Sequence, residues 1–226
     1  MNLAQELANV SVQAQNHIPA EKLAIIEQAT EQLRQSGILD HSLKIGNYVP
    51  DFALPNATGK MIQLKQLLAT GPVVISFFRG TWCRFCNLEL KALQEVWPEI
   101  QASGASLVAI SPQTPDYSLS TVEDNTLSFE ILSDVGNQVA RNFGIVYQIP
   151  KSMRSVMQDF DVDLPVYNKD ETYELPIPAT YIIAPDSTVA YAFVEPDFTK
   201  RLEPANIVDT QRILQNAKQA LTTSKN

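Results

Sequence analysis

Pro72-Val-Val-Ile-Ser-Phe-Phe78-Arg79-Gly-Thr-Trp82-Cys83-Arg84-Phe-Cys86-Asn-Leu-Glu89 is the stretch on which the fold turns. From Pro72 to Phe78 nearly every position is apolar, as in a strand covered on both faces. Leu90, Leu93 and Trp97 then recur at helical spacing, which predicts a helix from Cys83 to about Gln101. The two cysteines therefore stand where a buried strand gives way to a helix.

A Cys-x-x-Cys pair by itself leaves three readings open. It could be half of a zinc site, but zinc needs two more ligands, and the chain offers only His17 and His41, at no finger spacing. It could be two inert core cysteines. The third reading is redox chemistry, and the strand–helix context favours it. At a helix start Cys83 faces unsatisfied backbone N–H groups and the positive end of the helix dipole, and both stabilise a thiolate. Arg79 and Arg84 flank it and act in the same direction. Cys86 falls on the same helical face, within reach of a disulfide. Cys83 is expected to be the more exposed, attacking sulfur, and Cys86 the buried, resolving one.

Composition narrows the rest. The 226 residues are 45% hydrophobic and 19% charged, which suits one sizeable globular domain with an appendage. The net charge is −8 and no Lys/Arg cluster occurs, so a nucleic-acid partner is not expected. Neither GxGxxG nor GxxxxGK[ST] is present, and two Cys with two His exclude a disulfide-stapled scaffold or a His-rich metal enzyme. No metal and no cofactor is expected. The N-terminus lacks a basic region followed by an apolar one, and no window approaches a membrane span, so no membrane partner and a cytoplasmic location are expected.

Residues 1–37 read as a helical N-terminal extension. Leu3, Leu7 and Val10 mark one helix. Pro19 to about Gln35 marks a second, with Leu23, Ile26, Ala29 and Leu33 as its apolar stripe and Gly37 as its stop. Such a stripe normally packs, here on the main domain or on a second subunit. Residues 38–226 form the main domain. Expected there are a hairpin about Asn56–Gly59, strands at Ser106–Ser111 and Phe129–Leu132, a short helix at Asn137–Phe143, a hairpin about Pro185-Asp-Ser, and a last helix from Pro204 to Leu221. This order indicates an α/β sandwich with a mixed central sheet. Residues 150–178 interrupt it and carry Asp159, Asp161, Asp163, Asp170, Glu171 and Glu174; they read as a solvated acidic insertion, since a calcium loop would need a Gly and a closing Glu that are absent. The insertion leads to Ile177-Pro178, just before a strand. A proline there is a candidate cis bond, which would expose the Ile177 backbone to an incoming extended peptide.

Several segments together resemble the AhpC/TSA peroxiredoxin superfamily, in particular its peroxiredoxin-like branch that carries CxxC. They are Gly46-x-x-x-Pro50-Asp-Phe52, the Pro72–Glu89 stretch, Val108-Ala-Ile-Ser-Pro112, Leu132-Ser-Asp134, Ala179-Thr-Tyr-Ile-Ile and Asp197-Phe-x-x-Arg201-x-x-Pro204. The resemblance covers about residues 43–210 and implies a thioredoxin-like three-layer fold. In that frame Cys86 takes the place of the peroxidatic cysteine. Cys83 then stands where a Thr is usual, Arg79 where a Pro is, and Pro178 where an Arg is. The Thr and Arg of the family hold the peroxide, so their loss removes preorganised donors. Trp82-Cys-x-x-Cys and Ile177-Pro178 instead resemble thioredoxins, although the buried Asp of thioredoxins has no counterpart here.

The function expected is thiol–disulfide exchange on protein or small-thiol disulfides. Cys83 and Cys86 would react, Arg79, Arg84 and Glu89 would activate, and Trp82, Ile177 and Pro178 would bind substrate. Thioredoxin or glutathione is the expected reductant, and a homodimer is compatible with the arm. The alternatives are a thioredoxin-dependent thiol peroxidase using Cys86, with Arg79 or Arg201 replacing the lost Arg, and a redox-sensing binding module.

Overall fold

The computed structural model describes residues 2–212. A central five-stranded sheet runs in the order β5-β4-β3-β8-β9. Its strands are β3 (Val73–Phe77), β4 (Ser106–Ser111), β5 (Glu130–Ser133), β8 (Ala179–Ile183) and β9 (Val189–Val194). β3, β4 and β5 are mutually parallel, while β8 pairs antiparallel with both β3 and β9. The sheet is mixed, and both faces are covered. Val73, Ile75 and Phe77 join Val108, Ile110, Phe143 and Tyr181 on one face. Val74 and Phe78 join Leu90, Leu93, Leu107 and Ile182 on the other. That two-sided burial is why β3 shows a continuous apolar run and no alternation.

The Asn56–Gly59 hairpin forms from β1 (Ala53–Pro55) and β2 (Met61–Gln63), followed by the short α4 (Leu64–Leu68). α5 (Arg84–Ala102) starts where expected, with Cys83 as its N-cap. α6 (Pro115–Asn125), a helix without a sequence forecast, lies between β4 and β5. α7 (Gln138–Asn142) is held by buried Asp134, which accepts from the backbone N–H groups of Val139 and Ala140. The last helix begins at 204 and is described to 212; its forecast continuation to Leu221 lies outside the described residues.

The arm consists of α1 (Leu3–His17) and α2 (Ala20–Gln35), with one more turn, α3 (Ile38–His41), after Gly37 at φ +75°. α1 packs on α5 through Leu3 and Leu7 against Ala92. α2 lies along α8 (Lys151–Gln158), and Lys22 bridges to Asp159 at 2.8 Å. The arm therefore packs on its own chain.

Residues 150–178 are folded, which corrects the reading of a solvated insertion. They hold α8, α9 (Leu164–Asn168) and β7 (Glu174–Pro176), the last paired with β6 (Val146–Gln148). Met157, Val162, Leu164 and Leu175 build a small core with Ile149. The acidic residues decorate the outside of that unit, with Asp159, Asp161 and Asp163 all exposed. A second correction concerns Pro178: no cis peptide bond occurs among the described residues, so Ile177–Pro178 is trans. Ile177 and Pro178 are both buried, and the Ile177 N–H donates to Ile145 O at 2.8 Å. The Ile177 N–H, which the peptide-pairing expectation needs free, is thus engaged within the chain. Among the described residues no helix is long and apolar enough to cross a membrane.

Candidate active site

The loop from Phe78 to Trp82 leaves the C-terminal end of β3, next to the position where the sheet changes from parallel to antiparallel neighbours. In α/β sheets such a switch point opens a crevice for ligands. Two side-chain amides, buried Gln113 and half-buried Asn87, fix the loop. Gln113 accepts from the Thr81 N–H at 2.9 Å, and Asn87 donates to Thr81 O at 2.8 Å. Gly80 allows the close turn: at φ +149°, a Cβ there would lie 2.4 Å from Trp82 Nε1.

Cys83 and Cys86 form a disulfide, with Cα atoms 5.2 Å apart. Cys83 Sγ caps α5 by accepting the Cys86 backbone N–H at 3.3 Å. Each sulfur also has its own guanidinium. Arg79 Nη2 stands 3.3 Å from Cys83 Sγ, and Arg201 Nη2 stands 3.3 Å from Cys86 Sγ. A guanidinium N–H at this distance is a charged donor of the kind that can stabilise a thiolate.

The two arginines are held differently. Arg201 Nε donates to Glu89 Oε2 at 2.5 Å, and both side chains are almost wholly buried. Burial pushes the Glu89 carboxyl up, opposed by Arg201 and by a hydrogen bond with Thr180. Arg79 is 7% exposed and has no carboxylate partner among the described residues. It lies over the Phe198 ring at 4.0 Å and the Trp82 ring at 5.1 Å, and bonds Tyr147. Burial pulls its guanidinium down to about 10, with Tyr147 opposing and Arg201 adding to the fall. It remains a cation at neutral pH. Arg79 Nε and Trp82 Nε1 are buried without hydrogen-bond partners.

A cavity of about 720 Å³ opens over Cys83. α2 supplies Leu23 and Ile26, α8 supplies Met153 and Met157, and Cys83 and Arg79 also line it. The α2 stripe read as a packing surface faces this hollow, and no residue of α2 is fully buried. Cys86 does not border the cavity and is 0% exposed, against 2% for Cys83.

The forecast residues thus separate. Cys83, Cys86, Arg79, Trp82 and Glu89 gather around the disulfide. Arg84 is exposed and bonds Gln13 Oε1 of the arm at 3.3 Å, both residues lining the cavity, whereas Ile177 and Pro178 lie outside the lining. Tyr147, Gln113 and Phe198 complete the surroundings without having been singled out. Only Phe198 had a sequence signal, as part of the Asp197–Pro204 segment that also contains Arg201. Among the described residues no cluster of three or more His, Cys, Asp or Glu could hold a metal ion.

Comparison with known proteins agrees with this geometry. The chain is 27% identical to a thiol-disulfide oxidoreductase ResA of Bacillus thuringiensis subsp. konkukian over 108 residues, 47% of this chain and 61% of that protein. It thus spans about three fifths of the curated relative it matches. The crystal structure of peroxidoxin BcpB from Mycobacterium tuberculosis superposes with a TM-score of 0.60 at 23% identity, covering 76% of this chain and 97% of that one. A peroxiredoxin-like protein from Aquifex aeolicus gives 0.59 at 16% identity, covering 76% and 88%. These likenesses carry the thioredoxin-like fold. The sequence model of the AhpC/TSA family matches residues 45–192, the span that holds the sheet, the paired cysteines and one wall of the cavity, and the chain belongs to the AhpC/TSA family.

Proposed function

We propose that the chain is a thiol–disulfide oxidoreductase in which Cys83 attacks and Cys86 resolves. One observation carries the reading: of the two sulfurs, Cys83 alone borders the cavity, while Cys86 is buried behind it. The Cys83 thiolate attacks one sulfur of a substrate disulfide, and the departing thiolate takes a proton. The Cys86 thiolate then attacks Cys83 Sγ, the second substrate thiol leaves, and the Cys83–Cys86 disulfide remains. Arg79 stabilises the attacking thiolate, and Arg201, braced by Glu89, does the same for the resolving one. Trp82 borders the cavity beside Cys83 and receives the substrate. The name carried by the Bacillus relative agrees with this chemistry. A thioredoxin or glutathione pool is the reductant, in a cytoplasmic setting. In a Cys86→Ser variant the exchange stops at a mixed disulfide, so partners accumulate covalently on Cys83. If Cys83→Ser traps them equally well, the two roles are assigned the wrong way round.

Arg201 supports a second reading, a thiol peroxidase with Cys86 peroxidatic. Its guanidinium stands at Cys86 Sγ and supplies a donor where the family's usual Arg is missing. Stoichiometric sulfenic acid at Cys86 in Cys83→Ser, at micromolar peroxide, supports this reading; its absence while exchange proceeds removes it.

A further inference from the structure

The cavity over Cys83 has a chemical character that disulfide exchange does not use. Its walls are the apolar stripe of α2 and the methionines of α8. Its volume, about 720 Å³, lies in the range that holds a whole small molecule. Its lining includes Arg79, whose side chain is more than nine-tenths buried and without a carboxylate partner among the described residues. Arg79 Nε and the neighbouring Trp82 Nε1 are both N–H donors without acceptors. The cation–π faces of Phe198 and Trp82 soften the charge but leave those N–H groups unsatisfied. The only acidic residue among the lining side chains, Glu27, is exposed. A largely apolar chamber whose lining includes a buried cation without a carboxylate partner among the described residues fits one kind of molecule.

We infer that the chamber binds a single-chain amphiphile with an anionic head, a fatty-acid-like carboxylate, and that it does so in the disulfide state. The head lies at Arg79 and the chain runs between α2 and α8. The redox dependence follows from Arg79 Nη2 being 3.3 Å from Cys83 Sγ. Once the disulfide is reduced, the Cys83 thiolate becomes the counter-ion and the two anions compete for one guanidinium. Linkage then makes the effect reciprocal: a ligand that prefers the disulfide form about tenfold lowers the midpoint potential of the couple by about 30 mV at saturation. This goes beyond the exchange reading, because the preference for an acid in the oxidised protein needs no turnover.

The test uses the full chain, cis-parinaric acid and its uncharged methyl ester, with polyene fluorescence as the readout, below micelle-forming concentrations. The oxidised protein binds the acid saturably and about tenfold or more tighter than the ester, as a charge-assisted contact requires. Reduction weakens acid binding by about tenfold and leaves ester binding unchanged. Arg79→Met abolishes the preference for the acid but retains ester binding, which also shows that the variant is folded. Ala29→Trp fills the chamber and lowers both. Absence of saturable binding, equal affinity for acid and ester, or equal acid affinity in the two redox states overturns the inference.

Discussion

Replacing Arg79 by Met separates what this side chain does for chemistry from what it does to stability. Met keeps much of the apolar volume between Phe198 and Trp82 and removes the charge. In the reduced protein the loss is one charge-assisted hydrogen bond to Cys83 Sγ, at 3.3 Å in the structure. Such a bond contributes about 1.5–3 kcal/mol, which is roughly a 10- to 150-fold change in thiolate population. The remaining thiolate is more basic and intrinsically more nucleophilic, with a Brønsted slope of about 0.4–0.5 that recovers nearly half of the loss on a logarithmic scale. Alkylation of Cys83 by iodoacetamide, measured well below the thiol's titration range, should therefore slow by about 3- to 20-fold. Its pH midpoint should rise. Stability should move the other way. Burial depresses the Arg79 guanidinium from its ordinary value to about 10, which corresponds to about 3 kcal/mol charged against the folded state. For a base whose folded value is lowered, that penalty is complete below pH about 10 and is relieved as pH rises from there towards the ordinary guanidinium value. After allowing for the lost ring contacts, the disulfide form of Arg79→Met should unfold in urea with about 1–3 kcal/mol more stability at pH 7. Unchanged alkylation together with lower stability would falsify the assignment of Arg79 as the activating cation.

Three further outcomes follow from the same contacts. Glu89→Ala leaves the Arg201 guanidinium buried and unpaired, so it should cost about 3–5 kcal/mol in urea unfolding, and Glu89→Gln should cost less because an acceptor for Arg201 remains. Leu3→Asp should loosen α1 from α5 by about 1.5–3 kcal/mol and speed the reaction of reduced Cys83 with bulky aromatic disulfides by about tenfold, while small alkylating agents change little; equal acceleration of both would count against the arm as a cover. Gly80→Ala places a methyl group against Trp82 Nε1, which should displace the indole, shift its fluorescence and lower stability by about 1–3 kcal/mol.

The parts legible in the sequence were those where one physical signal dominates. β3 is covered on both sides, so its apolar run is unbroken, and α5 carries an apolar face behind a capping cysteine. α6 escaped because its inward residues, Ser118, Thr121 and Asn125, are polar and satisfied by hydrogen bonds, Ser118 with Ser133 and Thr121 with Gln113. A helix whose buried side is polar shows no apolar stripe to read. The 150–178 unit was misread because its charges are continuous in sequence while its apolar contacts, Met157 to Leu175 among them, are irregularly spaced. At the site, Arg79 was legible because it is four residues from Cys83. Arg201 reaches Cys86 across 115 residues, and only its place in a family segment drew attention to it. Pro178 misled for a different reason: the bond before it is trans, and the neighbouring backbone is already paired.

The Lys22–Asp159 bridge joins a segment that lies outside residues 45–192 to one that lies within them. Cys83, Cys86 and Arg79 lie within the span that matches the family, whereas the α2 wall of the chamber lies outside it. Selection can therefore redraw the chamber by altering residues 20–35 without disturbing sulfur chemistry. Grafting this arm onto a relative with a similar β3–α5 junction would carry over the α2 wall alone, leaving the recipient's own redox pair, charged group and opposite wall in place, so the graft would alter the shape of the chamber and not its charge.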